Sequence, residues 1–303
     1  MKKILVLGAS GMLGYKLFMK LSESGMYEVH GTVRSLEGID QKYYGAAFSK
    51  IRQHVDAADF DTIIRALASI QPDVIINCIG LIKQNVLVND PLTAITINSL
   101  LPHRLSMVCC TAKARLIHIS TDCVFNGKEG HYTEEAESNA TDLYGKSKFL
   151  GEVCYPPHCV TLRASIIGHE LRNNLGLIEW FLSQKNSVKG YKQAIFSGFT
   201  TIEMARIIHD YVIPNHSLYG RYHISSDPIS KFELLKIVAA QYSKVIVIEP
   251  FDGMVINRSL DSSKFRKFVG YQPPSWPEMI KKMHEDYLTT CQIESKGADH
   301  VSR

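Results

Sequence analysis

Seven residues near the start of the chain, Gly8-Ala9-Ser10-Gly11-Met12-Leu13-Gly14, limit its possible folds more than any others. They follow Ile4-Leu5-Val6-Leu7, a short wholly apolar run of the kind found in strands buried on both faces. After them, Met12 to Leu21 reads as a helix. The glycine spacing is GxxGxxG. The first glycine suits a tight turn, and the second lets backbone N–H groups approach an anion. The third lets the helix pack close to the strand. A helix N-terminus then offers unpaired donors and a positive dipole end. The pattern predicts a dinucleotide pyrophosphate site lined by Gly8, Ser10, Gly11, Met12, Leu13 and Gly14.

The next segments alternate in the same way. Tyr27–Val33, Asp73–Asn77, Arg115–Ser120 and Val160–Ala164 read as strands. Phe60–Ile70, Leu92–Ala112 and Leu143–Val153 read as helices, with Pro102 expected to kink the second. Such alternation implies an α/β fold, a doubly wound parallel sheet of the Rossmann type with right-handed crossovers. The pattern loosens after Ser165. We therefore expect a dinucleotide-binding domain over 1–165 and a smaller α/β substrate domain over 166–303, partly interleaved with it. In that second part Lys231–Tyr242 and Trp276–Leu288 read as helices, and Arg221–Ile224 and Val245–Ile248 as strands. The polar, aperiodic stretch 289–303 is expected to be a flexible tail.

Composition excludes several classes. No apolar run approaches the ~20 residues of a membrane span. The net charge of +4 suits an anionic small ligand, and no basic stripe with interleaved aromatics points to nucleic acid. Seven cysteines without a CxxC pair imply free thiols in a reducing, cytoplasmic setting. The twelve histidines show no metal-ligand spacing. A homodimer is left open.

The second strand ends Gly31-Thr32-Val33-Arg34-Ser35. An acid there would bind a ribose 2′-hydroxyl. Instead Arg34 and Ser35 offer a guanidinium fork and a hydroxyl to a 2′-phosphate, which favours NADPH over NADH. Asp56 is a candidate acceptor for the adenine amino group, or else a helix N-terminal acid. Cys78, Ile79 and Gly80 close the next strand beside the cofactor, and Asn98 is expected to hydrogen-bond nearby.

Tyr144 and Lys148 stand four apart, on one helix face. A free phenol has a pKa near 10, and an adjacent ammonium favours the phenolate. Lowering that value by ~3 units needs roughly 4 kcal/mol of differential interaction. YxxxK alone is a weak signal. Here it follows the glycine loop and a hydroxyl-bearing strand end, Ser120-Thr121-Asp122.

Together these motifs resemble an extended short-chain dehydrogenase/reductase. More closely, the chain to about Tyr287 resembles the dTDP-4-dehydrorhamnose reductase family, through INSLLPHRL, HISTDCVFNGKEGHYTEEAESNATDLYGKSK, LRASIIG and RSLDSSKF. The resemblance implies a catalytic triad of Thr121, Tyr144 and Lys148. Thr121 would bond the substrate oxygen, Tyr144 would protonate it, and Lys148 would hold the nicotinamide ribose. The implied reaction is NADPH-dependent reduction of the C4 ketone of a nucleotide-linked 4-keto-6-deoxy sugar, in polysaccharide biosynthesis.

Two positions depart from that family's pattern. Cys123 stands where Tyr is usual, and Ser165-Ile166-Ile167 stands where SWV is usual. Both changes remove aromatic surface from the sugar pocket. They admit a UDP-linked 2-acetamido-4-keto-6-deoxy sugar as a rival substrate. Cys123 also aligns with a cysteine that GDP-fucose synthase uses in epimerisation, with His169 as its proposed partner here. The resemblance further places Arg258 against the diphosphate. Lys83 and Gln84 are candidates for the substrate, and Arg163 is expected to support the fold. Cys123 in place of Glu argues against a 4,6-dehydratase. The intact triad argues against a non-catalytic NADP-binding regulatory subunit.

Overall fold

In the computed structural model, residues 1–298 are described apart from 84–85 and 173–174. Seven parallel strands form the central sheet. In chain order they are β1 (Lys3–Leu7), β2 (Glu28–Thr32), β3 (Ile51–Arg52), β4 (Val74–Asn77), β5 (Arg115–Thr121), β6 (Cys159–Ala164) and β7 (Gly220–His223). Their spatial order is β7-β6-β5-β4-β1-β2-β3. Ligands of such sheets bind beyond the C-terminal strand ends, where the strand order reverses. Here β1 lies between β4 and β2, so that crevice opens at the glycine loop.

The apolar run of β1 explains the layering. Ile4 and Val6 join one core cluster with Leu17, Phe18 and Leu21 of α1 (Met12–Glu23). Leu5 and Leu7 face the other side, against Ile63 and Leu67 of α2 (Phe60–Ile70). Both faces of the strand are buried, so neither alternate position tolerates a polar residue.

The expected helix over Leu92–Ala112 is present in three pieces. Pro91–Ala94 and Leu101–Ala112 are α-helical, and Ile95–Leu100 between them is a π-turn. The Leu101 N–H donates to the Thr96 carbonyl, five residues back. Pro102 has no N–H to give, and its ring would press on the carbonyl of Asn98. The ladder slips one residue just upstream of it. The helix that carries Tyr144 runs from Leu143 to Leu150 and is called α3 below. It stops short of Val153. At Gly151 an added Cβ would lie 1.9 Å from the Asn98 carbonyl oxygen, so the backbones are in direct contact there.

The second half returns to the first, since β7 pairs with β6. Elsewhere it builds small sheets. In one, Ala194–Phe196 lies between the antiparallel Ile229–Ser230 and the parallel Ile256–Asn257. The final helix is longer than its apolar pattern suggested, Trp276–Ala298 rather than ending at Leu288. The stretch expected to be a flexible tail is therefore helical over 289–298. Residues 299–303 lie outside the described residues. Among the described residues no helix is long and apolar enough to cross a membrane.

Candidate active site

The glycine loop has the geometry its spacing requires. Gly8 sits at φ +81°, and its N–H and that of Ala9 donate to the Thr32 carbonyl at 3.1 and 2.9 Å. A Cβ on Gly14 would lie 2.1 Å from the Gly8 oxygen, so only glycine lets α1 start this close to β1. Gly11 caps the helix, and the first turn, which contains Met12 and Leu13, carries no acid. Its backbone donors and positive end therefore face the crevice without a competing carboxylate. Beneath the loop, the buried Tyr44 donates its hydroxyl to the Ala9 carbonyl at 3.1 Å. The sequence reading gave Tyr44 no role. Ser10 is half-buried at the loop tip.

Arg34 is exposed just past β2, and the Ser35 Oγ accepts the Glu37 N–H at 2.9 Å. Asp56 uses Oδ1 to accept the Ala58 N–H at 2.9 Å in the turn ahead of α2, and the residue that caps that helix is Asp59, which accepts the Asp61 N–H at 3.2 Å. Cys78 follows β4, and burial pushes its thiol up to about 12. Ile79 packs within 3.0 Å of where a Cβ on Gly8 would stand. A Cβ on Gly80 would lie 3.4 Å from Asn98 Oδ1 and 3.5 Å from Lys148 Nζ. Asn98, carried on the π-turn, accepts the Leu81 N–H at 2.9 Å and donates to Ser147 Oγ at 3.2 Å. It thus ties the loop after β4 to α3.

Thr121 ends β5, where its Oγ1 accepts the Cys123 N–H at 3.1 Å and lies 3.2 Å from Asp122 Oδ1. Tyr144 is in the first turn of α3, which Asp142 caps by accepting the Gly145 N–H at 2.8 Å. Burial holds the Tyr144 phenol well above its usual value, and the nearby Cys123 adds to this. The Thr121 hydroxyl, its hydrogen-bond partner, pulls the other way. Lys148 is 5% exposed and donates to the Ile119 carbonyl at 2.8 Å. Burial lowers its pKa to about 8, against the opposing pull of Glu152 and Cys78. The expected lowering comes from Lys148 together with the positive nicotinamide of the oxidised cofactor; from the protein's own groups, desolvation of the ring is the largest effect. A phenol held this way is protonated at neutral pH, as a proton donor must be.

Of the substrate-side candidates, Cys123, Arg258 and Lys83 lie within electrostatic reach of one another. Burial raises the Cys123 thiol to about 12, with Asp122 adding to it and Arg258 opposing. Asp122 is buried too, which raises its carboxyl, again against Arg258. Arg258 donates Nε to the Phe125 carbonyl at 2.8 Å, and Lys83 pairs with Asp142 at 2.5 Å. The Ser165 carbonyl accepts the Phe199 N–H at 2.9 Å, and Ile166, paired with Phe199, packs on the main core. Gln84 lies outside the described residues. The Cys123–His169 partnership is not formed. His169 uses Nδ1 on Glu179 at 2.5 Å and Nε2 on the Tyr242 hydroxyl at 2.8 Å, and stacks on Tyr287. A neutral buried thiol without a base is a poor proton shuttle.

Two features escaped the sequence reading. One is Lys231, read as a helix start, whose charge is felt by Asp122, Cys123, Arg258 and Lys83. The other is the buried network behind Thr121. Glu152 accepts Arg163 Nε and Nη2 at 2.7 and 2.8 Å and the Ser120 hydroxyl at 2.8 Å. Arg221 approaches it at 3.2 Å. Arg163 was read as a fold residue, and its bidentate pairing fits that. Among the described residues no group of three or more side chains is arranged to hold a metal. An open cavity of about 270 Å³ lined by Cys109, Lys113, Arg115, His158 and His216 lies at the start of β5, the opposite end from Thr121.

Residues 1–289 match the family model described as RmlD substrate binding domain. The dTDP-4-dehydrorhamnose reductase of Aggregatibacter actinomycetemcomitans is 24% identical over 307 residues, 93% of this chain and 98% of that protein. A probable low-salt glycan biosynthesis reductase, Agl14 of Haloferax volcanii, is 31% identical over 166 residues, 54% of this chain and 52% of that one. The crystal structure of dTDP-4-dehydrorhamnose reductase from Bacillus anthracis str. Ames, in complex with NADP, superposes with a TM-score of 0.77 at 21% identity. That match covers 94% of this chain and 99% of that one.

Proposed function

The chain belongs to the RmlD substrate-binding-domain family, and from that membership we propose that it is an NADPH-dependent reductase of the C4 ketone of a nucleotide-linked 4-keto-6-deoxy sugar, serving polysaccharide biosynthesis. The observation that carries this reading is the meeting of Thr121, Tyr144 and Lys148 beside the glycine loop.

The cofactor fits the residues present. The loop of Gly8, Gly11 and Gly14 leaves backbone donors and a helix N-terminus free of acids for the pyrophosphate. Exposed Arg34 stands at the end of β2 for the 2′-phosphate. When bound, NADPH supplies the hydride that reduces the carbonyl carbon. Thr121 Oγ1 orients the carbonyl oxygen, and Tyr144 transfers its phenolic proton to that oxygen. Lys148, anchored on the Ile119 carbonyl, holds the nicotinamide ribose and balances the phenolate left behind. Cofactor choice is read by Arg34→Ala. We expect kcat/KM for NADPH to fall about tenfold to a hundredfold, the worth of charge-assisted bonds, with NADH little changed. An NADH preference unaffected by this substitution would contradict the assignment.

A UDP-linked 2-acetamido-4-keto-6-deoxy sugar is the second reading, favoured by the small Cys123 and by Ile166 where the family pattern has an aromatic residue. Turnover of the dTDP- and UDP-linked ketones by the purified protein, followed by nicotinamide absorbance, separates the two and fails for both if the reductase reading is wrong. The free thiols fit a cytoplasmic setting. Leu92, Leu100 and Met107 recur on one exposed face of the helix over 91–112, beside exposed Leu150 and Tyr155. We place a homodimer contact there, which light scattering tests.

A further inference from the structure

Arg172 reaches from the second half of the chain to the turn that follows β2. The residues just before it are fastened one by one. His169 is held by Glu179, Tyr242 and Tyr287. Glu170 Oε2 accepts the N–H groups of Leu175 and Gly176 at 2.7 and 3.0 Å, ahead of the helix Leu177–Ser183. Leu171 packs on the main core. From this base the half-buried Arg172 donates Nη1 to the Glu37 carbonyl at 2.8 Å.

The turn that receives it is the one Arg34 and Ser35 open. It is fixed from within, because the Ile39 N–H donates to the Leu36 carbonyl at 2.8 Å and Ile39 is buried. Glu37 is held at both backbone groups, its N–H by Ser35 Oγ and its carbonyl by Arg172. Of the acids in this turn, Asp40 pairs with Lys42, and Glu37 gives Arg172 its carbonyl and not its carboxylate. Among the described residues that carbonyl is the one hydrogen-bond partner of Arg172. A guanidinium has five N–H donors in a planar fork, so most of them are left for a ligand. The charge of Arg172 is also felt by Tyr44, the residue that supports the glycine loop through Ala9. Two guanidiniums thus meet one turn from different halves of the chain, and a phosphate dianion suits both.

We propose that Arg172 is a second residue for the cofactor's 2′-phosphate, reaching across from the half of the chain assigned to the substrate. Arg34 takes the phosphate from the end of β2, and Arg172 takes it from the facing segment. The inference rests on the NADPH reading and is independent of which sugar is reduced.

Fluorescence titration of the full chain with NADPH and with NADH tests this. Arg172→Met is expected to weaken NADPH binding by about tenfold to a hundredfold, the worth of charge-assisted bonds, and to leave NADH affinity as in the wild type. The unchanged NADH affinity shows that the fold is kept. Arg172→Lys should recover part of the loss, because it keeps the charge but not the fork. Arg34→Ala combined with Arg172→Met should bring NADPH down to the affinity of NADH. Equal losses for the two cofactors in Arg172→Met would overturn the assignment, since the residue would then serve the pyrophosphate or the fold. No loss for either would overturn it as well. If Arg34→Ala removes the NADPH preference and Arg172→Met does not, the NADPH reading stands and this inference falls. A wild type without any NADPH preference sinks both.

Discussion

Replacing Tyr144 with Phe is expected to lower kcat for ketone reduction by about 10²–10⁴-fold, the usual worth of a placed general acid, with NADPH affinity kept. The substitution removes one oxygen and leaves the ring that packs beside Leu81 and Ile97. The loss should therefore fall on proton transfer and not on stability. It should also exceed the loss from Thr121→Val, because Thr121 orients the carbonyl oxygen but has no proton to deliver in the step. Single-turnover rates with saturating NADPH read this directly. A Phe variant within about threefold of wild type would mean that the proton comes from elsewhere.

The second large effect concerns stability. Arg163 is fully buried, and Glu152 is 8% exposed, with both carboxylate oxygens bound to the guanidinium. Breaking a buried pair by deleting one partner typically costs about 3–5 kcal/mol, because the other charge is left uncompensated. Arg163→Met should fall near the lower end, since Arg221 and the Ser120 hydroxyl still face Glu152. Adding Glu152→Met should recover part of the loss, because an apolar pair leaves no orphaned charge. Urea unfolding of the two variants measures this. A loss below about 1 kcal/mol in Arg163→Met would show that water or Arg221 replaces the pair.

That network marks where the sequence stopped being informative. Local patterns were legible because their cause is local. The glycine spacing, the apolar run of β1 and the Tyr144–Lys148 interval each act over a turn or two. The pairing of Glu152 with Arg163 depends on α3 being capped at Gly151 and on β6 beginning eight residues after that cap. Pro102 signalled a disturbed helix, but the π-turn it leaves upstream, and the two bonds of Asn98 that the π-turn carries, required the packing of Gly151. The charge of Lys148 is visible in the sequence, whereas the desolvation of the Tyr144 ring comes from the surrounding packing.

The central claim is that the chain delivers hydride to a sugar C4 carbonyl with Tyr144 as proton donor. The most direct test is incubation with NADPH deuterated at the transferring position and the 4-keto-6-deoxy sugar nucleotide that is turned over, followed by NMR of the product. The account predicts one deuterium, at C4 of the sugar, in the wild type, and almost none on the same timescale in Tyr144→Phe. Deuterium at another carbon, or equal labelling by the two proteins, would contradict it.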